Sequence, residues 1–359
     1  MLSVNQTMPF PVRLVSPKKF LVAPLLTLAV CLPGCKNQPT NAQIDAWHQE
    51  AVTRNAQMVA THTNEAQKRE WQLLIQGQTS TGKPVKLGWK DLEALATTHV
   101  LTPLPFKKVD NTNTSLDFRG VKVSTLLDKF GVAPDATDVT FVAYDAYWQT
   151  LKLADLKNYP IAIALERNGK PIARPDGGPL FLVFPHAQYP ETQKKFDERY
   201  WVYYVTNMII GTEPASVRVT IPAKSDRLLD SAALNKLPQV SLETLVAYKI
   251  GWPNTKVKLQ GVRVRDVLTA AGVQIPAKSS IIVRGKPPVY HDPASPIRLT
   301  AESIQNCDIL LATRWGNDNQ PIPAKIGGPV TLAFPPTCPF LSGKQRWVTF
   351  VEDLEVVTP

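Results

Sequence analysis

Hydrophobic and polar positions divide this chain into stretches of different texture. Phe20 to Val30 is an apolar run, followed by Cys31, Leu32, Pro33, Gly34 and Cys35. Residues 36–70 are polar and rich in Ala, Gln, Asn and Thr. Ile44, Trp47, Val52, Met58 and Val59 give them only a loose helical stripe. From Trp71 the texture changes to short apolar runs of strand length. The first, 71–75, alternates with polar residues, and 87–95 then has the spacing of a short helix.

The pattern next repeats itself. Residues 116–132 match 257–273 without a gap, with Gly120, Val121, Val123, Leu127, Gly131 and Val132 recurring as Gly261, Val262, Val264, Leu268, Gly272 and Val273. Each copy predicts one helix, over 124–130 and 265–271. Gly131 and Gly272 follow as C-caps, where glycine alone takes the left-handed conformation cheaply. Strands are expected over 139–144 and 280–284. Strand-and-turn segments at 160–172 and 308–322 follow, then Gly-Gly-Pro segments at 177–185 and 327–335. Trp-Val segments at 200–205 and 346–351 close each copy in the same order. So many ordered matches mean a tandem duplication of one domain of roughly 130 residues. The expected division is a signal segment at 1–35, a polar tether at 36–70, a first domain at 71–213, a linker at 214–234 and a second domain at 235–359. Units dominated by strands with a segregated helix predict the α+β class rather than a doubly wound sheet.

The N-terminal stretch carries Arg13, Lys18 and Lys19 and no acidic residue before Asp45. Its apolar run is too short to span a hydrocarbon core of about 30 Å as a helix and suits the h-region of a signal peptide. Leu32-Pro33-Gly34-Cys35 resembles a lipobox, so Cys35 is the expected lipidation site. Cleavage without lipidation is the alternative. A lipid anchor holds by about 0.8 kcal/mol per buried methylene. The expected location is therefore the cell envelope, on the periplasmic side or the cell surface, with the membrane as partner through the anchor. Disulfides persist in such a compartment.

Net charge is +10, but the basic residues are scattered and lack the aromatic interleaving of single-strand binders. Nucleic acid is therefore not an expected partner; an anionic membrane surface or a small anionic ligand is. Prolines outnumber glycines, 32 to 18, which indicates many fixed loops and edge positions. Downstream of the signal only Cys307 and Cys338 remain. They form either two buried thiols or one disulfide closing a loop of about 30 residues, worth roughly 3 kcal/mol. No metal site is predicted, because neither cysteine has a close neighbour of its kind and histidines are few.

The repeated blocks resemble the molybdopterin-binding domain of sulfite oxidase-type oxidoreductases. That family pairs a Trp/Phe-x-Gly-Val-x-Leu-x-x-Leu-Leu helix with a later Asp-Gly-Tyr, a Gly-x-Pro-Leu-Arg-Leu-Val-x-Pro strand and a closing Lys-Trp. Here the matching segments are 118–127, Asp145-Ala146-Tyr147, 177–185 and Tyr200-Trp201 in the first copy. The second copy supplies 259–268, 327–335 and Arg346-Trp347. Thr102-Pro103-Leu104 also looks like the short exported members of the group. The resemblance implies two tandem, strand-rich molybdopterin-binding-like domains, with molybdopterin as the cofactor and oxidoreduction as the ancestral chemistry.

The departures bear on that chemistry. Catalytic members hold molybdenum through a cysteine just before the helix block, and no cysteine occurs between 36 and 306. A hydroxyl or amide does not replace a soft thiolate. The strand arginine is Phe181 in one copy and Thr331 in the other, and the closing lysine is Tyr200 in the first and Arg346 in the second. Asp145 and Tyr147 sit where the family faces its cofactor, although Asp145 suits a turn equally well. Arg174, Arg199, Lys325 and Arg346 are candidate contacts for a pterin phosphate by charge. His186 is a ligand candidate against the plainer expectation of a surface loop histidine. Trp201 and Trp347 read as core residues within strands. No nucleophile with an attached base and no paired carboxylates stand out, so no catalytic residue is assigned. Three functions remain open: a binding or sensing module, a molybdenum oxidoreductase with non-cysteine ligation, and a structural envelope protein.

Overall fold

The structure, a computed structural model, describes residues 71–103, 115–144, 147–246, 252–253, 255–275, 278–286, 297–338 and 348–357. Cys35, the expected signal segment and the expected tether at 36–70 lie outside the described residues. The first lobe runs through β1 (Leu73–Gly77), β2 (Val85–Leu87), α1 (Trp89–Leu95), β3 (Thr98–Thr102), β4 (Leu116–Lys122) and α2 (Val123–Phe130). It continues with β5 (Asp138–Ala143), β6 (Trp148–Lys152), α3 (Leu153–Asn158), β7 (Ala162–Arg167), β8 (Lys170–Pro171), β9 (Phe181–Val183), α4 (Glu191–Lys195) and β10 (Val205–Ile210). The second lobe has β11 (Val217–Thr220), β12 (Arg227–Leu229), α5 (Ser231–Lys236), β13 (Gln239–Leu245), β14 (Lys256–Arg263) and α6 (Val264–Ala270). Then follow β15 (Ser280–Gly285), β16 (Arg298–Thr300), α7 (Ala301–Asn306), β17 (Leu310–Trp315), β18 (Gln320–Pro321), β19 (Thr331–Ala333) and β20 (Val351–Val357).

The duplication read from the sequence is a duplication of topology. Each lobe holds one mixed and one antiparallel sheet, ordered β2-β1-β10-β5-β6 and β3-β4-β7-β8 in the first and β12-β11-β20-β15-β16 and β13-β14-β17-β18 in the second. A short strand, β9 or β19, pairs with β7 or β17 beside the second sheet of its lobe. The fold is α+β, two tandem strand-rich domains.

Local chemistry explains why the recurring residues recur. In α2 the positions Val123, Leu126 and Leu127 fall on one face and are buried, the spacing that seats a helix on a sheet. Its first free N–H groups include Val123, which donates to the Ile161 carbonyl at 2.9 Å; Val264 does the same to Ile309 at 2.9 Å. Gly131 and Gly272 adopt φ of 72° and 74° just past these helices. Gly120 and Gly261 have a different reason. Each sits at a shift of strand register, where a Cβ would run into the Ile163 or Leu311 carbonyl. Only glycine permits that approach.

Residues 214–234, expected as a linker, carry β11, β12 and the start of α5. Val217 and Val219 are fully buried while Arg218 points outward, so alternation makes this segment a strand of the second lobe rather than a connector. β11 lies parallel to β20, as β1 lies parallel to β10.

The two lobes meet through a small apolar cluster of Val142, Trp148 and Ile209 with Ala324 and Phe350. Trp148 stands edge-on to Phe350, ring centroids 5.3 Å apart, and its indole Nε1 donates to the Lys325 carbonyl at 3.2 Å. This contact explains why β5 is buried along nearly its whole length: one face meets its own core and the other meets the second lobe. Cys307 and Cys338 are joined by a disulfide, Cα atoms 5.6 Å apart. They tie the end of α7 to the loop after β19. Among the described residues no helix is long and apolar enough to cross a membrane.

Candidate functional site

The Gly177-Gly178 turn leads into β9, and opposite it the chain returns along 200–204 toward β10. Arg174, at the start of the short 3-10 turn Arg174–Asp176, lies with its guanidinium carbon 4.0 Å from the centre of the Trp71 ring. Trp71 in turn contacts Tyr144 at 5.4 Å between centroids and donates its Nε1 proton to the Val205 carbonyl at 2.9 Å. Burial lowers the Arg174 pKa from the usual arginine range, opposed by the nearby Tyr144 and Tyr204 hydroxyls. The Tyr204 hydroxyl donates to the Arg174 carbonyl at 3.0 Å. The result is a half-buried cation framed by aromatic rings, the setting in which cation–π attraction is strongest.

Tyr147 and Arg199 come together with each other. The Tyr147 hydroxyl donates to the Arg199 carbonyl at 2.5 Å and accepts from Gln149 Nε2 at 2.9 Å. The Arg199 side chain points away, forms a two-pronged pair with Asp197 and is 74% exposed. The Asp197 hydrogen bond raises its pKa. Asp145 and Arg346 lie outside the described residues, as does Trp347.

His186 belongs elsewhere. It is 7% exposed, not the surface loop histidine expected. Its ring stacks near Phe184 and Trp201, and Nδ1 lies 2.9 Å from the Thr192 hydroxyl. Burial pushes its pKa down to about 4, partly offset by a hydrogen bond with the Phe196 backbone. Phe184 and Trp201 pack against it and Thr192 of α4 meets its ring nitrogen, a contact set that its position after Pro185 does not reveal. Trp201 is core as expected, but it follows the 3-10 turn Glu198–Tyr200 rather than lying in a strand. Its Nε1 is buried without a hydrogen-bond partner. Lys325 is exposed and belongs to the contact between lobes through its carbonyl.

The position of the family's strand arginine is filled by hydrophobic packing. Phe181 is 1% exposed. It stacks on Tyr203 at 4.2 Å, with Trp201 and Phe118 also against it. Burial pushes the Tyr203 phenol up. A Cβ on Gly177, whose φ is 95°, would collide with the Tyr203 ring, so that glycine serves this packing.

The second lobe replaces Tyr144, Arg174, Tyr203 and Tyr204 of the first lobe's group. Tyr144 and Lys286 are equivalent: their backbone N–H groups donate to the Tyr204 and Phe350 carbonyls at 2.8 and 2.9 Å. Tyr204 and Phe350 share a positive φ of 54° and 53°. Arg174 corresponds to Ala324 at the start of the 3-10 turn Ala324–Ile326. The Tyr203 ring against Gly177 corresponds to Thr349 against Gly327. Lys286 itself is buried between two carboxylates, Nζ lying 2.8 Å from Glu213 and 2.5 Å from Glu352. Burial lowers its pKa, but the two carboxylates outweigh that and the net shift is upward.

These residues do not fit a molybdenum centre of the family kind. The positions before the helix blocks are Leu116 and Asp117 in one lobe and Val257 and Lys258 in the other. Asp117 is held by His99, Nδ1 at 3.0 Å. Both cysteines of the folded lobes are spent in the disulfide. Among the described residues no group of three or more His, Cys, Asp or Glu side chains could hold a metal. Sequence reading passed over Trp71, Tyr144, Tyr204 and Lys286. Comparing the two copies position by position was the available signal, since Tyr144 against Lys286 is a change of chemistry at an equivalent backbone site.

The sequence model described as "Oxidoreductase molybdopterin binding domain" matches twice, over residues 59–196 and 216–357. Among solved structures, the sulfane dehydrogenase SoxCD from Paracoccus pantotrophus is similar at 15% identity and a TM-score of 0.31. The match covers 60% of this chain and 57% of that one. No curated protein matches the chain in sequence.

Proposed function

Because the chain belongs to the oxidoreductase molybdopterin-binding domain family through both of its lobes, we propose that it is an envelope lipoprotein using that fold as a binding or sensing module without molybdenum turnover. The observation that carries this reading is the donor set. No thiolate is available before either helix block, and the only cysteines of the folded lobes are bonded to each other. Molybdenum in this family depends on a soft anionic sulfur, and neither Asp117 nor Lys258 offers one. What the first lobe does keep is a half-buried arginine among aromatic rings, suited to holding an anionic or planar ligand. The second lobe has exchanged that group for a closed ion cluster, so binding at the family's cofactor-facing side falls to the first lobe.

The anchoring part of the proposal rests on Leu32-Pro33-Gly34-Cys35 after a short apolar run. Attachment through Cys35 would place both lobes outside the cytoplasm. Cys35→Ala expressed beside the wild type, with metabolic labelling by a radioactive fatty acid, tests it. Label in the wild type and none in the variant is the expected result; equal labelling overturns the anchor.

Elemental molybdenum and released-pterin analysis tests the non-redox reading on protein purified from a host that makes the cofactor. Well-folded protein with neither molybdenum nor pterin is expected. Stoichiometric molybdenum and pterin would instead make the protein an oxidoreductase with a non-thiolate ligand set.

A further inference from the structure

The two lobes differ at one pair of facing strand positions, and the difference leaves a charged group open to a cleft. In the first lobe Arg119 on β4 faces Glu166 on β7. Arg119 Nε donates to the carboxylate at 2.8 Å, and a second guanidinium nitrogen pairs with the other oxygen. In the second lobe the residues in the same register are Gln260 on β14 and Arg314 on β17. The acid has become an arginine, and the arginine an amide. Arg314 retains one long hydrogen bond, from Nη1 to the Asn319 carbonyl at 3.3 Å. Among the described residues it has no carboxylate partner, whereas Arg263, Arg265 and Arg284 in the same lobe all do. A guanidinium stays charged at any physiological pH, and its planar fork is matched to a carboxylate.

Arg314 lines a cleft of about 700 Å³ between the lobes, within the range of small-molecule sites and at the kind of boundary where they concentrate. Pro214, Leu234, Pro321 and Pro329 supply apolar wall. Thr79, from the first lobe, also lines the cleft. It is only 5% exposed, and its hydroxyl has no hydrogen-bond partner. That oxygen is shut off from solvent, so Thr79 contributes wall to the cleft rather than an exposed donor. Glu213 borders the cleft too; its carboxylate lies 2.8 Å from Lys286, a cation it shares with Glu352, and among the described residues no ion pair joins it to Arg314.

We propose that this cleft binds a small organic monoanion, a carboxylate carrying an apolar body, with Arg314 as its anchor. A single uncompensated guanidinium balances one negative charge; a dianionic phosphate would bring a second charge beside Glu213 with no cation left to meet it. The proline and leucine walls cover the apolar remainder of the ligand. Lining from both lobes, Thr79 and Ala133 on one side and Arg314 and Pro321 on the other, lets a bound ligand touch both. This site is separate from the aromatic group around Arg174, and its occupancy does not depend on whether molybdenum or pterin is present.

The test is titration of the intact protein with fluorobenzoate, followed by fluorine NMR, with fluorobenzamide as the uncharged isostere. Saturable binding of the acid and none of the amide is expected. Arg314→Met should weaken the acid at least about tenfold, the loss typical of a charge-assisted fork. Arg314→Lys should fall between. Asn235→Trp, which fills the cleft from an exposed helix position lining it, should also abolish binding while keeping the thermal melt of the wild type. Arg199→Ala, outside the cleft, should change nothing. Equal affinity for acid and amide, binding unaltered in Arg314→Met, or loss in Arg199→Ala alone would each overturn the proposal, as would no saturable binding of the acid.

Discussion

Replacing Lys286 by methionine removes the one cation between Glu213 and Glu352 while keeping most of the apolar stem in place. The Lys286 side chain is 6% exposed and Glu213 13%, whereas Glu352 is 48% exposed. The cost therefore falls mainly on Glu213, a carboxylate left charged and almost dry. Breaking a buried pair from one side costs about 3–5 kcal/mol. Loss of the half-solvated Glu352 contact adds about 0–1 kcal/mol. A domain has only about 5–15 kcal/mol in hand, so the change is large. Urea unfolding at neutral pH, followed by tryptophan fluorescence, measures it. Glu213→Gln in the same chain removes the stranded charge and should return at least about 2 kcal/mol of the loss, a coupling expected of contacting groups. A single-variant cost below about 1 kcal/mol, or no recovery in the double variant, would refute the reasoning that this cluster is held by its central cation. Because the Lys286 pKa is raised, the contribution is fully present below the unfolded value and is lost only as pH rises through the folded one. It should be constant across neutral pH.

Other outcomes follow from the same geometry. His186 has a folded pKa of about 4, below its ordinary 6.5, so the unfolded chain takes up the proton first. Stability should fall as pH drops through that window, and His186→Gln should flatten the fall in urea midpoints measured across it. Trp148→Ala deletes a buried indole at the lobe contact and should cost about 3–5 kcal/mol; calorimetry should then resolve two transitions where the wild type gives one. Reduction of Cys307–Cys338 should lower stability by about 3–4 kcal/mol on the chain-entropy account, read as a shift of the unfolding midpoint with and without reductant.

Much of the fold could be read from residues alone because its signals are local. Glycines that take positive φ or admit a neighbouring carbonyl, and the helical spacing at Val123, Leu126 and Leu127, depend on nearby chain. The duplication then multiplied each signal by two. What escaped is set by distant partners. Trp71 and Arg174 are a hundred residues apart in sequence and meet only in the fold. The 214–234 segment reads as a linker until β20 arrives beside it. His186 looks exposed until Phe196 and Trp201 close over it. Of the candidate site residues, charge alone brought in Arg174, Arg199 and Lys325 together, and charge says nothing about which of them is framed by rings, which is already paired and which lies at the other lobe's contact.

The parallel pairing of β1 with β10 has a consequence for how each lobe comes into being. The last strand of the lobe is the centre of its mixed sheet, flanked by β1 on one side and β5 on the other. Until Val205–Ile210 is available, the earlier strands form two separate halves with bare inner edges, the kind of surface that pairs with other chains. The same holds for β20 in the second lobe. Each lobe thus completes itself late and all at once, with its longest-range contacts closing last. A chain delivered N-terminus first stays slack and threadable for nearly the length of a lobe, then locks.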